Sequence, residues 1–197
     1  MTLSDKRHIH YKINKPFGML SQLSSNDPKE KGSNAFLSEL FDFPQGIMPI
    51  GRLDKKSEGL LLMTTSGKLS DRINRSGIEK EYLVQLDGLI GQKDIEILSK
   101  GVEIGFKGIR YRTKPCKVYI LQSEPELPAA HRAIRIERHR PASWIKMIIT
   151  EGKFKQIRKM TAAVGFPTLR LIRIRIGSIH LDDMTPGEVQ KIMVIET

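Results

Sequence analysis

The 197-residue chain holds 33 Lys and Arg against 22 Asp and Glu, a net charge of +11, and a single cysteine, Cys116. One thiol excludes a disulfide framework or a cysteine metal cluster within the chain, and no apolar run approaches the ~20 residues that cross a bilayer. The charge is concentrated: residues 131–180 carry twelve Lys and Arg against two acids, Glu137 and Glu151, a net of +10 that leaves the other 147 residues near balance. Such a block points to a polyanion, with nucleic acid favoured over anionic lipid.

Residues 1–9 read as a polar leader without the apolar core of a signal peptide, so a reducing, cytoplasmic setting is expected. Residues 9–13 (Ile-His-Tyr-Lys-Ile) alternate and predict a short strand. They run into the turn Asn14-Lys15-Pro16-Phe17-Gly18, and residues 19–21 extend again. Residues 22–33 read as a polar surface loop. Asn34 is expected to cap a helix reaching residue 43, with Phe36, Leu37, Leu40 and Phe41 on one face. Residues 51–62 (Gly-Arg-Leu-Asp-Lys-Lys-Ser-Glu-Gly-Leu-Leu-Leu) are the centre of the chain: a polar loop presenting Arg52 and Asp54, anchored by an apolar strand, residues 60–63.

A helix is predicted over residues 68–74, a strand over 79–86, and a helix over 92–100 stopped by Gly101. Residues 102–121 read as a β-meander broken at Gly105, Gly108 and Pro115. Residues 133–139 alternate Ile with Arg and Glu, as an exposed edge strand would, and residues 144–150 form a more apolar strand. Ile157, Met160, Thr161 and Val164 mark the buried face of a helix over 154–164, ended by Gly165 and Pro167. Residues 169–176 alternate as a strand. Residues 182–195 are expected to close the chain with a Pro186-Gly187 turn and a short helix. The sum is an α+β chain with a mainly antiparallel sheet, because most strand connections are too short for helical crossovers.

The sequence lacks a Walker loop, a dinucleotide fingerprint and metal-ligand spacing. His8, His10, His131, His139 and His180 read as surface or RNA-facing residues. Asp54 is the best reactive candidate, with Tyr82, Lys153 and Arg158 as helpers. A loop aspartate is equally a feature of ordinary turns. On residue type alone, Tyr82 and Leu171 also read as core and Arg158 as a solvated charge.

The 51–54 motif, with Ser57, Gly59 and Leu60 to Leu62, resembles the signature of the rRNA pseudouridine synthases of the small-subunit synthase A family. Three further matches follow in order. Lys15-Pro16-Phe17-Gly18 resembles the family's Lys-Pro-x-Gly motif, and Lys80-Glu81-Tyr82-Leu83-Val84 its Lys-x-Tyr-x-Val strand. Residues 151–160 (Glu-Gly-Lys-Phe-Lys-Gln-Ile-Arg-Lys-Met) resemble its Glu-Gly-Lys-x-x-Gln-Ile-Arg-Arg-Met helix. Leu181 and Pro186-Gly187-Glu188 fit its closing segment. Two positions depart from the pattern: Ser66 stands where Asp is frequent, and Phe154-Lys155 replaces a polar residue followed by Arg or His. No S4-like RNA-binding module precedes Lys15, which is similar to the large-subunit (23S) rRNA branch, type E.

The resemblance implies the pseudouridine synthase catalytic fold over residues 10–197: a mixed sheet in two subdomains, flanked by helices, with a central RNA-binding cleft. It implies an isomerase needing no cofactor or metal and acting as a monomer on 23S rRNA, with Asp54 detaching uracil from ribose before it rejoins through C5. Arg158 would pair with Asp54 and keep it ionised. Tyr82 would pack on the target base, Leu171 would line the uracil pocket, and Arg52 would hold the flipped-out nucleotide or its vacated position. Lys15, Lys153, Lys155, Lys159, Arg170, Arg173 and Arg175 are candidate phosphate contacts. Two alternatives stay open: a non-catalytic RNA-binding or ribosome-assembly protein on the same scaffold, and a synthase acting on another RNA.

Overall fold

The computed structural model describes residues 8–136, 140–193 and 195; most of the polar leader, His139 and the end of the strand expected over 133–139 lie outside them. β1 (His10–Lys15) leads into α1 (Pro28–Ser33), where a loop is expected. Asp27 accepts a hydrogen bond from the Lys29 amide at 2.9 Å and Pro28 opens the helix, so a wholly polar segment still closes a helical turn. The helix expected over 34–43 is only a 3₁₀ turn, Leu37–Glu39. Asn34 closes α1 instead, donating to the Glu30 carbonyl at 2.9 Å. Phe41 and Phe43 leave the helical path to pack on Tyr11, with ring centroids 5.4 and 5.5 Å away.

β2 (Met48–Ile50) precedes the 51–57 loop and β3 (Glu58–Thr64). Leu60 and Leu62 join one apolar layer with Ile50, Ile73, Trp144 and Ile172, while Leu61 and Met63 join the other with Ile13, Val84, Met147 and Ile157. Both faces of β3 are covered, which is why residues 60–63 are continuously apolar and do not alternate. Burying each of the three leucines contributes about 1.5–3 kcal/mol. In α2 (Gly67–Arg75), Ser66 accepts from the Leu69 amide at 3.3 Å, the same capping that an Asp there would provide.

β4 (Lys80–Asp87) and α3 (Gln92–Ser99) match the sequence reading. The expected meander divides: β5 (Glu103–Phe106) and β6 (Ile109–Arg112) form a separate hairpin, whereas β7 (Lys117–Ile120) joins the main sheet beside β8 (Ala142–Ile149). Residues 133–136 are turn and not strand, folded back by an Ile134 amide bond to the His131 carbonyl at 2.8 Å. After α4 (Gln156–Ala163), β9 (Thr168–Ile176) and β10 (Ile179–His180), the chain ends in a strand, β11 (Val189–Ile192), where a helix is expected. The Gly187 amide donates to the Asn14 carbonyl and the Asn14 amide to the Glu188 carbonyl. This aligns residues 189–192 with the open edge of β1, which satisfies backbone groups that one helical turn would leave unpaired.

The nine-stranded sheet runs β11-β1-β3-β9-β4-β8-β7, with β2 on β3 and β10 on β9. Every pairing is antiparallel except β3 with β9, which are parallel through Glu58↔Ile172 and Gly59↔Arg173. That short seam joins the two halves of the sheet, and the 51–57 loop lies directly before it.

Candidate active site

Asp54 is half-buried on a loop whose backbone is held from three sides. The Ser21 hydroxyl donates to the Leu53 carbonyl at 2.8 Å and accepts from the Leu53 amide at 3.0 Å. The Gly18 amide donates to the Lys55 carbonyl at 2.8 Å. Arg158 donates to the Lys56 carbonyl at 2.7 Å and, through its other terminal nitrogen, to the Thr168 carbonyl at 3.1 Å. Within the loop, the Ser57 amide closes a turn on the Asp54 carbonyl at 2.9 Å. The backbone on both sides of Asp54 is thus fixed before any ligand arrives, as an efficient carboxylate catalyst requires.

Arg158 reaches this loop as expected, but not as a contact partner of the carboxylate. Among the described residues Asp54 forms no ion pair, because the terminal nitrogens of Arg158 are engaged by backbone carbonyls. The coupling is through space: burial pushes the Arg158 guanidinium down, and the charges of Asp54 and Glu58 push it back up. Among the described residues four buried side-chain polar atoms lack a protein partner; Gln85 Oε1 is on β4, while Arg158 Nε, Ser57 Oγ and Arg173 Nη2 belong to segments framing Asp54. Buried orphans are uncommon, and their clustering marks a functional region.

Three expected phosphate contacts are interior residues. Lys15 is 0 % exposed; its ammonium group donates to the Pro16 and Met19 carbonyls, both at 2.8 Å, and so shapes the turn that carries Gly18 and Ser21. Arg170 is buried and forms a two-pronged pair with Glu58 at 2.9 and 3.0 Å. Arg173 is buried and donates to the Leu60 carbonyl at 2.7 Å. Arg175 is occupied by Glu81 at 2.7 Å and Glu79 at 3.0 Å. Arg170 and Arg173 tie β9 to β3 across the seam, and Arg175 ties β9 to β4. Residue type announces positive charge but not which face of a strand carries it, so the burial of these cations is not legible in the sequence. His10 is likewise buried, its Nδ1 2.9 Å from the Thr64 hydroxyl.

Tyr82 and Leu171 are buried in the layer that also holds Leu53, Ile157 and Met160. Arg52 is exposed and donates to Gln22 at 2.9 Å. Lys153 lies over the Tyr111 ring, and Lys155 and Lys159 over the Phe154 ring, at the start of α4. An open cleft of about 390 Å³, of the size that accepts a nucleoside, adjoins Arg158 and is lined by Phe17, Lys56, Ile134, Arg135 and Leu169. Phe17 stacks on His131 at 4.8 Å, which brings the 131–135 turn over this cleft. The sequence did not single out Lys56, Phe17 or Glu58. Their proximity to Asp54 and Arg158 is the only signal that could have found them.

Lys15 yields a pH prediction. Burial lowers its ammonium from the ordinary 10.5 to about 7, opposed by Glu58 and Asp54. Between these values the unfolded chain keeps a proton that the folded chain has lost, so raising the pH favours the folded state. A neutral amine still carries two N–H groups, enough for both carbonyl bonds. Denaturant unfolding of wild type and Lys15→Met is expected to show a stability increment for wild type that grows from pH 7 to pH 10. Parallel pH profiles for the two proteins would refute this assignment.

Among the described residues, no helix is long and apolar enough to cross a membrane, and no group of three or more His, Cys, Asp or Glu could hold a metal ion. The family model for RNA pseudouridylate synthase matches residues 9–163. The chain is 38% identical to the ribosomal large subunit pseudouridine synthase E of Xanthomonas axonopodis pv. citri over 176 residues, 88% of each chain. It is 32% identical to the ribosomal small subunit pseudouridine synthase A of Escherichia coli K12, over 91% of this chain and 68% of that one. A crystal structure of a pseudouridylate synthase superposes with a TM-score of 0.74 at 28% identity, over 94% of this chain and 70% of the other. A family match over most of the chain, relatives above 30% identity and a shared fold agree: the chain belongs to the RNA pseudouridylate synthase family.

Proposed function

We propose that the protein isomerises a specific uridine of 23S rRNA to pseudouridine, with Asp54 as its catalytic residue. The observation that carries this reading is the Asp54 carboxylate, free of any ion pair among the described residues and held on a clamped loop whose Lys56 lines an open cleft together with Arg158. In the reaction the C1′–N1 bond breaks, uracil turns, and C5 bonds to C1′; the C5 proton leaves and N1 gains one. No atom is gained or lost overall. Glycosidic cleavage places positive charge on the ribose, and a carboxylate at that point either bonds to it or stabilises it. Arg158 acts as the clamp that orients the loop, Tyr82 and Leu171 form the apolar wall for the base, and Arg52 and Lys56 face the nucleotide backbone. The target must leave its stack to reach Asp54. One chain supplies all these groups, which supports a monomer, and a ribosomal RNA substrate supports a cytoplasmic location.

The large-subunit target is supported by the names of relatives at 34–38% identity. Mapping pseudouridines in total RNA from cells with and without the protein tests it. Loss of one 23S site in its absence is the expected result; loss of a site in 16S or transfer RNA instead would overturn the target assignment.

A further inference from the structure

Phe154, one of the two departures from the family pattern, is 62 % exposed at the start of α4. The Lys155 and Lys159 ammonium groups lie 5.0 and 5.4 Å from its ring centroid. Lys159 also donates to the Gly105 carbonyl at 2.7 Å, joining this end of α4 to the β5–β6 hairpin. Glu151 completes the link by accepting from the Tyr111 hydroxyl at 2.6 Å, the Lys114 amide at 2.9 Å and Gln156 at 2.7 Å. The hairpin and the segment that follows it are basic: residues 103–119 carry five Lys and Arg against one acid, Glu103, which pairs with Arg110, and Arg112 and Lys114 are exposed. These charges lie outside the 131–180 block and are hidden in the sequence by acids elsewhere. The structure places the two basic segments side by side, with the exposed ring at the α4 end.

We infer that Phe154 is a stacking platform for an unpaired RNA base, with Lys155, Arg112 and Lys114 contacting the flanking phosphates; none of these four residues lines the cleft beside Arg158. The inference rests on the reading that the protein acts on RNA. An exposed aromatic ring among cations is how proteins hold single-stranded nucleic acid, since every base has a face to stack and every linkage a charge. A duplex offers the phosphates but no free base face, so the ring selects single strands or loops. Glu151 and Lys159 give the platform a fixed position relative to α4, the helix that also supplies Arg158.

The test uses the full-length protein, a short fluorescein-labelled single-stranded RNA and the duplex of the same sequence, with binding read by anisotropy across a KCl series. Phe154→Ala is expected to weaken single-strand binding roughly 5- to 100-fold and duplex binding less than about twofold, while Phe154→Tyr stays near wild type. The Arg112→Ala/Lys114→Ala variant is expected to flatten the log–log salt dependence by about 0.7 per cation removed, a change that Phe154→Ala does not produce. Single-strand binding by Phe154→Ala within about twofold of wild type, or equal losses on single strand and duplex, would overturn the inference. Pseudouridine formation by wild type on a 23S rRNA transcript is scored in parallel: its absence counts against the proposed function, whereas the binding arms judge the platform alone.

Discussion

Asp54→Asn is expected to lower pseudouridine formation by on the order of 10⁴-fold or more, the scale on which removal of a single catalytic carboxylate acts, while leaving RNA affinity within about twofold of wild type. The amide matches the carboxylate in shape but cannot bond to the sugar or balance its developing charge. The fold has little reason to respond. Loop geometry is set by Ser21, Gly18 and Arg158 acting on the backbone of Leu53, Lys55 and Lys56, and among the described residues the Asp54 side chain has no ion pair to lose. On the proposed reading, affinity rests on the cations of α4 and the hairpin together with Arg52 and Lys56, none of which the substitution removes. The pair of measurements also decides against the binding-only alternative, in which Asp54 is an ordinary turn residue and no activity exists to be lost. Quantifying pseudouridine in a digested transcript alongside anisotropy on the same preparation is sufficient. Activity within tenfold of wild type would remove Asp54 from the mechanism.

The parts of the site legible in the sequence are those fixed by local pattern. Gly51-Arg52-Leu53-Asp54 before four apolar residues announced a loop on a buried strand, and residues 60–63 are buried on both faces. Tyr82 sits in its expected strand and Arg158 on its expected helix. What was not legible depends on partners distant in sequence. Lys15 and Arg173 meet Gly59 from opposite sides, as neighbours in register on β1 and β9, and nothing in either segment alone shows that this seam is interior. Arg170 is buried because Glu58, more than a hundred residues earlier, faces it. The closing segment carries too little alternation for a four-residue strand to be legible; only the open edge of β1 makes it a strand. Asn34 was a sound helix-start signal, and it is used to finish the preceding helix.

Gly59→Ala is the other substitution with a large expected effect, and it acts through the seam and not through the chemistry. Gly59 adopts φ +97, a conformation costly to any residue with a Cβ. An added Cβ would stand 2.3 Å from the Arg173 carbonyl oxygen and 2.8 Å from its amide nitrogen, both backbone atoms of β9 that cannot rotate away. Strain of about 1–2 kcal/mol from the backbone adds to about 1–3 kcal/mol from overpacking. At roughly 2–4 °C per kcal/mol for a chain of this size, the melting temperature is expected to fall by about 4–20 °C. Gly67→Ala is the matched control: Gly67 lies in α2 with nothing within 4 Å of an added Cβ, and alanine there is expected to stabilise by about 0.5–1 kcal/mol. The folded fraction of Gly59→Ala should also turn over about 100-fold more slowly, because β3 starts four residues after Asp54 and a shift near 1 Å at its start displaces the carboxylate. Thermal melts of both variants with wild type, followed by activity below the lower transition, separate the two effects. If Gly59→Ala melts with Gly67→Ala and keeps wild-type activity, close contact between β3 and β9 is not what holds Asp54 in place.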